Sequence, residues 1–151
     1  MRHACRCSTQ QIANYRSRIS GPLLDRMDIQ IEVPAVPYKE LLGQHQAEPS
    51  ASIRKRVLHA REIQKERYDG AAIYCNSQMS SKSIQTHCRI KSDAETLLTT
   101  AIDRLKLSAR AYYRILKLAR TIADLEGQDG IQASHIAEAI QYRSLDRGTL
   151  L

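Results

Sequence analysis

The chain has 151 residues and a formal net charge of +7, a length that suits one domain with a sizeable core and argues against two full ones. The charge favours anionic partners such as nucleic acid or nucleotide phosphates without naming one. No Trp or Phe is present and the aromatics are seven Tyr, so the stacking platforms of single-strand and RNA-recognition modules are poorly supplied.

In chain order, Ser8 followed by Gln11 has capping-box spacing, and Ile12, Tyr15 and Ile19 behind it predict a helix over about 9–19. Ser20, Gly21 and Pro22 stop that helix and open a further turn, whose apolar side is Leu23, Leu24 and Met27. From Asp28 the period becomes two: Ile29, Ile31 and Val33 alternate with Gln30 and Glu32 until Pro34 and Pro37, which predicts one β-strand. A lone strand cannot satisfy its own backbone groups, so its partners must lie in another chain or in sequence outside this one.

Almost everything after the strand reads as helical. A short helix fits 37–43. A long one fits 50–68, with Ile53, Val57, Ala60 and Ile63 as its buried stripe and Arg54, Lys55, Arg56, Arg61, Lys65 and Arg67 on the other face. Residues 70–83 read as a connection with room for one helix. Ser92 and Glu95 form a second capping-box pair ahead of Leu97, Leu98, Ala101, Ile102 and Leu105. Ser108 then caps a helix of roughly five turns, with Ala111, Ile115, Leu118, Ile122 and Leu125 on one face and Gly127 as its stop. The last helix is expected over 133–142, with a frayed tail from Ser144.

Chemical motifs are few. There is no G-x-x-x-x-G-K-[ST] loop, no strand ending in paired acids, no nucleophile elbow and no H-E-x-x-H, so this chain alone is not expected to hydrolyse ATP or to act as an autonomous enzyme. Cys5 and Cys7 in HACRC could supply half of a zinc site, although two more ligands are needed; ordinary reduced cysteines are the alternative. With Cys75 and Cys88 they are too few for a disulfide scaffold. No apolar run is long enough to span a bilayer and MRHACRCSTQ lacks a signal peptide's apolar stretch, so a cytoplasmic protein without membrane contact is expected.

Two arginines stand out. Arg26 sits where the apolar turn gives way to the strand, and reads either as a surface residue paired with Asp25 or Asp28 or as a group aimed at something anionic. Arg110 falls in the first turn of a long helix, where the macrodipole favours acids; beside free N–H groups an arginine could join in binding phosphate. The basic face at 54–67 reads as a solvated helix face, with DNA contact as the alternative.

The stretches RISGPLLDRMDIQIEVPAV and LSARAYYRILKLARTIADLEG, with CRCSTQQIANY before and HIAEAIQYR after, resemble the C-terminal part of magnesium-chelatase-like AAA+ ATPases, specifically the ComM competence-protein group. The resemblance runs from about Cys5 to Arg147 and is weakest between residues 43 and 91. It implies a mainly α fold: residues 1–35 as the end of the AAA+ core, with the helix, the arginine turn and one residual strand; 36–147 as a helical lid bundle; and 148–151 as a tail. It also implies that Arg26 resembles an arginine finger acting in trans on a neighbouring subunit's nucleotide, and Arg110 a sensor-2 residue contacting phosphate in cis. Cys5 and Cys7 resemble the second half of a four-cysteine zinc cluster.

The expected parent is then a homo-hexamer with an N-terminal ATPase half, using ATP and Mg²⁺ to drive DNA remodelling, specifically branch migration in recombination. No cofactor is expected on this chain by itself, and the DNA-contacting residues are not identified. Met27 after LLDR, where chelatase and minichromosome-maintenance relatives often carry Phe, fits the ComM-like branch. The rivals are a true chelatase motor subunit, a helical DNA-binding module without catalysis, and a pure oligomerisation module.

Overall fold

The computed structural model describes residues 6–31, 33–35 and 47–143. Among these are seven α-helices: α1 (Thr9–Arg16), α2 (Gly21–Leu24), α3 (Ser50–Arg67), α4 (Ser81–His87), α5 (Ser92–Leu105), α6 (Ala109–Leu125) and α7 (Ala133–Gln141). A 3-10 turn, Asn76–Gln78, precedes α4. The fold is mainly α, as expected. The helix expected at 37–43 and the tail from Ser144 lie outside the described residues.

α6 is the axis of the molecule, packing against α7, α3, α4 and the 3-10 turn, while α5 packs on α7. Its sequence explains both its length and its place. Ser108 accepts a hydrogen bond from Ala111 N–H through its side chain and so satisfies one free donor of the first turn. At the far end Gly127 adopts φ +66°. Gln128 N–H then donates to Ala123 O at 2.8 Å and Gly127 N–H to Asp124 O at 3.1 Å, the two bonds of a Schellman stop.

Between those ends Ala111, Ile115, Ala119, Ile122 and Ala123 are buried, and the alanines let neighbouring helices come close. They join Leu98, Ile131, Ile136 and Ala139 in the core, where each fully buried Ile or Leu stabilises by about 1.5–3 kcal/mol. A parallel bridge between Ile90 and Ile131 ties the segments leading into α5 and α7 together.

Five expectations need correction. No strand is formed among the described residues: Ile29, Ile31 and Val33 are exposed and no ladder runs through them. Gln30 N–H donates instead to the Tyr142 carbonyl at 2.7 Å, at the end of α7. Alternation marks a chain able to pair, but pairing needs a second strand, and the nearest backbone is a helix terminus.

On α3, Ile53 and Val57 are exposed; only Ala60 and Gln64 are buried, because the first half of this helix extends beyond the core. Arg67, expected on the solvated face, turns inward. α1 stops at Arg16 rather than continuing to Ile19, since Ser17 N–H and Arg18 N–H already close its last turn on Ala13 O and Tyr15 O. Finally, Ser92 is the first residue of α5 rather than its cap; Lys91 holds the cap position without a side-chain hydrogen bond. By contrast, the Ser8–Gln11 capping box forms in full.

Candidate functional site

Arg26 lies on the turn that follows α2, and the structure fixes that turn from two sides. Within the turn, Arg26 N–H donates to Leu23 O at 3.1 Å and Met27 N–H to Leu24 O at 3.0 Å. From the other side, the buried Arg143 at the end of α7 donates through Nη1 to Met27 O at 3.0 Å and through Nη2 to Asp25 Oδ1 at 3.3 Å. Arg114 of α6 donates through Nη1 to the Arg26 carbonyl and to Asp28 Oδ1, the latter at 2.5 Å. The Ser108 hydroxyl donates to Asp25 Oδ1 at 3.0 Å.

These bonds bear on the expected pairing of Arg26 with Asp25 or Asp28, which does not form. Both neighbouring carboxylates are engaged by other groups, Asp25 by Ser108 and Arg143, Asp28 by Arg114. The Arg26 side chain is exposed and has no hydrogen-bond or ion-pair partner among the described residues. The turn therefore presents a permanently charged, planar donor group outward while its own backbone is held.

Arg110 stands in the first turn of α6, one turn from Arg114 and two residues after Ser108. It is also exposed, and it too has no partner among the described residues. Because Ser108 both caps α6 and holds Asp25, one hydroxyl joins the turn of Arg26 to the helix start that carries Arg110. The two arginines singled out in the sequence, 84 residues apart, are thus mounted on one local framework.

Cys7 is exposed and Cys5 lies outside the described residues. Among the described residues no three His, Cys, Asp or Glu side chains are grouped as a metal-ligand set. On α3, Arg54, Lys55, Arg61 and Lys65 are exposed, and Arg56 pairs with Glu48 at 2.9 Å. No helix among the described residues is long and apolar enough to cross a membrane.

Sequence reasoning missed the polar centre beneath this surface. Asp124, fully buried on α6, accepts from Arg67 of α3, from Asn76 of the 3-10 turn at 2.8 Å and from Arg120 Nε at 3.0 Å. Tyr68 donates its hydroxyl to Asn76 Oδ1 at 2.7 Å. Burial alone would raise the Asp124 carboxyl, but the hydrogen bonds from Arg67 and Asn76 and the Arg120 and Arg67 charges outweigh it and hold it below the usual range. The group is fully paired and faces inward, so its work is to join α3, the 3-10 turn and α6. One signal was present in the sequence: Arg120 and Asp124 stand four apart among the apolar residues of α6.

Residues 47–143 match the family described as magnesium chelatase, subunit ChlI C-terminal, and residues 1–41 match magnesium chelatase, subunit ChlI. The chain belongs to this magnesium chelatase family. Within it, the chain is similar to competence protein ComM of Haemophilus influenzae, with 46% identity over 143 residues covering 94% of this chain and 27% of ComM. It is 40% identical to the uncharacterised protein YifB of Salmonella typhimurium over 144 residues, covering 94% of this chain and 28% of YifB. The uncharacterised protein Rv2897c of Mycobacterium tuberculosis is 31% identical over 142 residues, covering 92% of this chain and 27% of that relative. The chain thus spans a little over a quarter of the length of these relatives.

Within the magnesium chelatase family this is a ComM-type chain, matched across both the arginine turn and the helical body.

Proposed function

We propose that this chain is the lid and arginine-finger portion of a ComM-like AAA+ ATPase, whose intact form is a cytoplasmic homo-hexamer that couples ATP hydrolysis to branch migration of DNA during recombination. The observation that carries this reading is Arg26: exposed, without a side-chain partner among the described residues, and held by Arg114 at its own carbonyl and by Arg143 at the next one, Met27 O. A finger needs a guanidinium that is fixed at its base and vacant at its tip. In this reading Arg26 reaches the nucleotide of the neighbouring subunit, and Arg110 contacts phosphate from the subunit's own lid.

Both arginines suit phosphate, since each offers a planar fork of N–H donors and keeps its charge throughout a reaction. Charge developing on a transferred phosphoryl group is stabilised by such donors, and fingers in other NTPases contribute roughly 10³ to 10⁵ in rate. ATP with Mg²⁺ supplies the phosphoryl transfer; the residues of this chain orient and neutralise. The P-loop lysine and Mg²⁺ ligands belong to an N-terminal ATPase half, and Cys5 and Cys7 would complete a zinc cluster with cysteines from that half.

The deciding experiment mixes subunits in the intact ring. Arg26→Ala subunits are combined with subunits lacking the P-loop lysine, and ATP hydrolysis is measured. Activity above that of either mutant ring alone is expected, because Arg26 would serve a neighbour's site. An Arg26→Ala ring hydrolysing at the parental rate overturns the assignment.

The family description itself favours a second reading, a chelatase motor subunit that drives Mg²⁺ insertion into a porphyrin with partner subunits. ATP-dependent formation of the metalloporphyrin by the intact protein with such partners would establish it, and stimulation of its ATPase by branched DNA would favour the first reading.

A further inference from the structure

The turn of Arg26 is bonded to the lid at more places than to its own neighbours in sequence. Asp25 receives Ser108 Oγ at 3.0 Å and Arg143 Nη2 at 3.3 Å, Met27 O receives Arg143 Nη1 at 3.0 Å, and Asp28 receives Arg114. Two of these donors come from α6 or its cap and the third from the end of α7. Ser108 is distinct because it makes two bonds of opposite sense: its oxygen accepts from Ala111 N–H at 3.1 Å while its hydrogen goes to Asp25. A displacement of the α6 N-terminus therefore pulls on Asp25, the residue next to Arg26.

We infer that Asp25 and Ser108 are positioning residues for Arg26, linking the α6 start that carries Arg110 to the turn that carries the finger, so that phosphate contact on one side shifts the guanidinium on the other. This inference rests on the finger reading of Arg26. It assigns the link to a hydroxyl and a carboxylate that themselves touch no nucleotide. The half-buried Asp25 is held in turn by Arg143, whose side chain is fully buried and so gives the link a rigid anchor. Binding at Arg110 would change the work done by Arg26 at the adjacent site, which appears as cooperativity between sites.

Misplacement of a catalytic group by about 1 Å can cost on the order of 10²-fold in rate. Asp25→Ala in the intact ring is accordingly expected to lower kcat by about 10- to 100-fold, to leave KM for ATP little changed and to bring the Hill coefficient toward one. Ser108→Ala should do the same, and Ser108→Thr, which keeps the hydroxyl, should restore the parental values. Adding Asp25→Ala to Arg26→Ala should cause no further loss, because Asp25 acts through Arg26.

An Arg26→Ala ring at the parental kcat would overturn the finger reading and this inference with it. If Arg26→Ala is impaired while Asp25→Ala and Ser108→Ala keep the parental kcat and Hill coefficient, the finger stands and the link is wrong. Failure of Ser108→Thr to rescue, or a further loss in the Asp25, Arg26 double variant, also overturns the link in favour of a purely structural role. Asp25→Ala leaves the α6 cap in place, so it decides the question even if Ser108→Ala fails to fold.

Discussion

Asp124 and Arg67 meet edge to edge across the core, Arg67 Nη1 to Asp124 Oδ2 at 2.7 Å and Nη2 to Oδ1 at 2.5 Å, so that a carboxylate of α6 holds the last turn of α3. The pair is 57 residues apart in sequence, and Arg120 and Asn76 complete the carboxylate's shell. A buried pair of this kind contributes little against an apolar replacement of both partners, but losing one partner leaves the other charged and unpaired.

Asp124→Ala is therefore expected to destabilise the chain by about 3–5 kcal/mol, because Arg67 and Arg120 lose a common acceptor. Urea denaturation of the two proteins checks it. A loss under about 1 kcal/mol would mean that the carboxylate is replaced by solvent at little cost.

The same carboxylate sets a pH dependence. Its folded pKa lies below the ordinary carboxylate value, so its contribution is complete at neutral pH and is lost as pH falls through and below about 4. Unfolding free energy measured from pH 7 down to pH 3 should fall across the acid end. In Asp124→Asn the fall should be shallower, since that group no longer binds a proton.

The cysteines should separate by reactivity. Burial pushes the Cys88 thiol up to about 11, whereas the Ser77 hydroxyl 3.1 Å from Cys75 Sγ lowers that thiol. The thiolate is the reacting form, so at pH 7.5 iodoacetamide should modify Cys75 well before Cys88. Peptide mapping over a time course reads the order, and unfolding should abolish the difference.

Two helix ends should respond in opposite directions to a change at one backbone position. Lys106 ends α5 with φ +51°, the left-handed region that costs a side chain roughly 1–2 kcal/mol, whereas Gly127 fills the same role after α6. Lys106→Gly should stabilise the chain by about 0.5–1 kcal/mol after allowing for the freer unfolded state. Gly127→Ala should destabilise it by about 1–2 kcal/mol. Thermal melts of both variants provide the check.

The exposed half of α3 should tolerate polar substitution. Ile53→Ser and Val57→Ser lie outside the core and should each change stability by no more than about 0.5 kcal/mol. Ala60→Leu, by contrast, places extra volume at a buried site and should cost about 1–3 kcal/mol. Urea midpoints of the three variants separate the outward from the inward side of the helix.

Much of the local structure was legible because its causes are local. The Ser8–Gln11 box, the Ser108 cap and the Gly127 stop each depend on residues within a turn of one another, and all three occur as expected. The apolar spacing of α6 likewise identified its buried side from Ala111 to Ile122. Spacing failed on α3, where Ile53 and Val57 have helical periodicity but no neighbouring element to bury them. It failed again at Ile29, Ile31 and Val33, whose alternation requires a pairing strand that the described residues do not provide.

By itself the sequence determined the helical class and the principal caps and stops, since propensity and capping act over a few residues. Only the tertiary structure decided which charges are occupied. Arg67, Arg114 and Arg143 look no different from Arg26 and Arg110 in composition, yet the first three find acceptors on remote segments and the last two find none among the described residues. That distinction depends on which backbone and carboxylate oxygens packing brings within about 3 Å, and oxygens up to 118 residues away in the chain leave no periodic mark on the sequence.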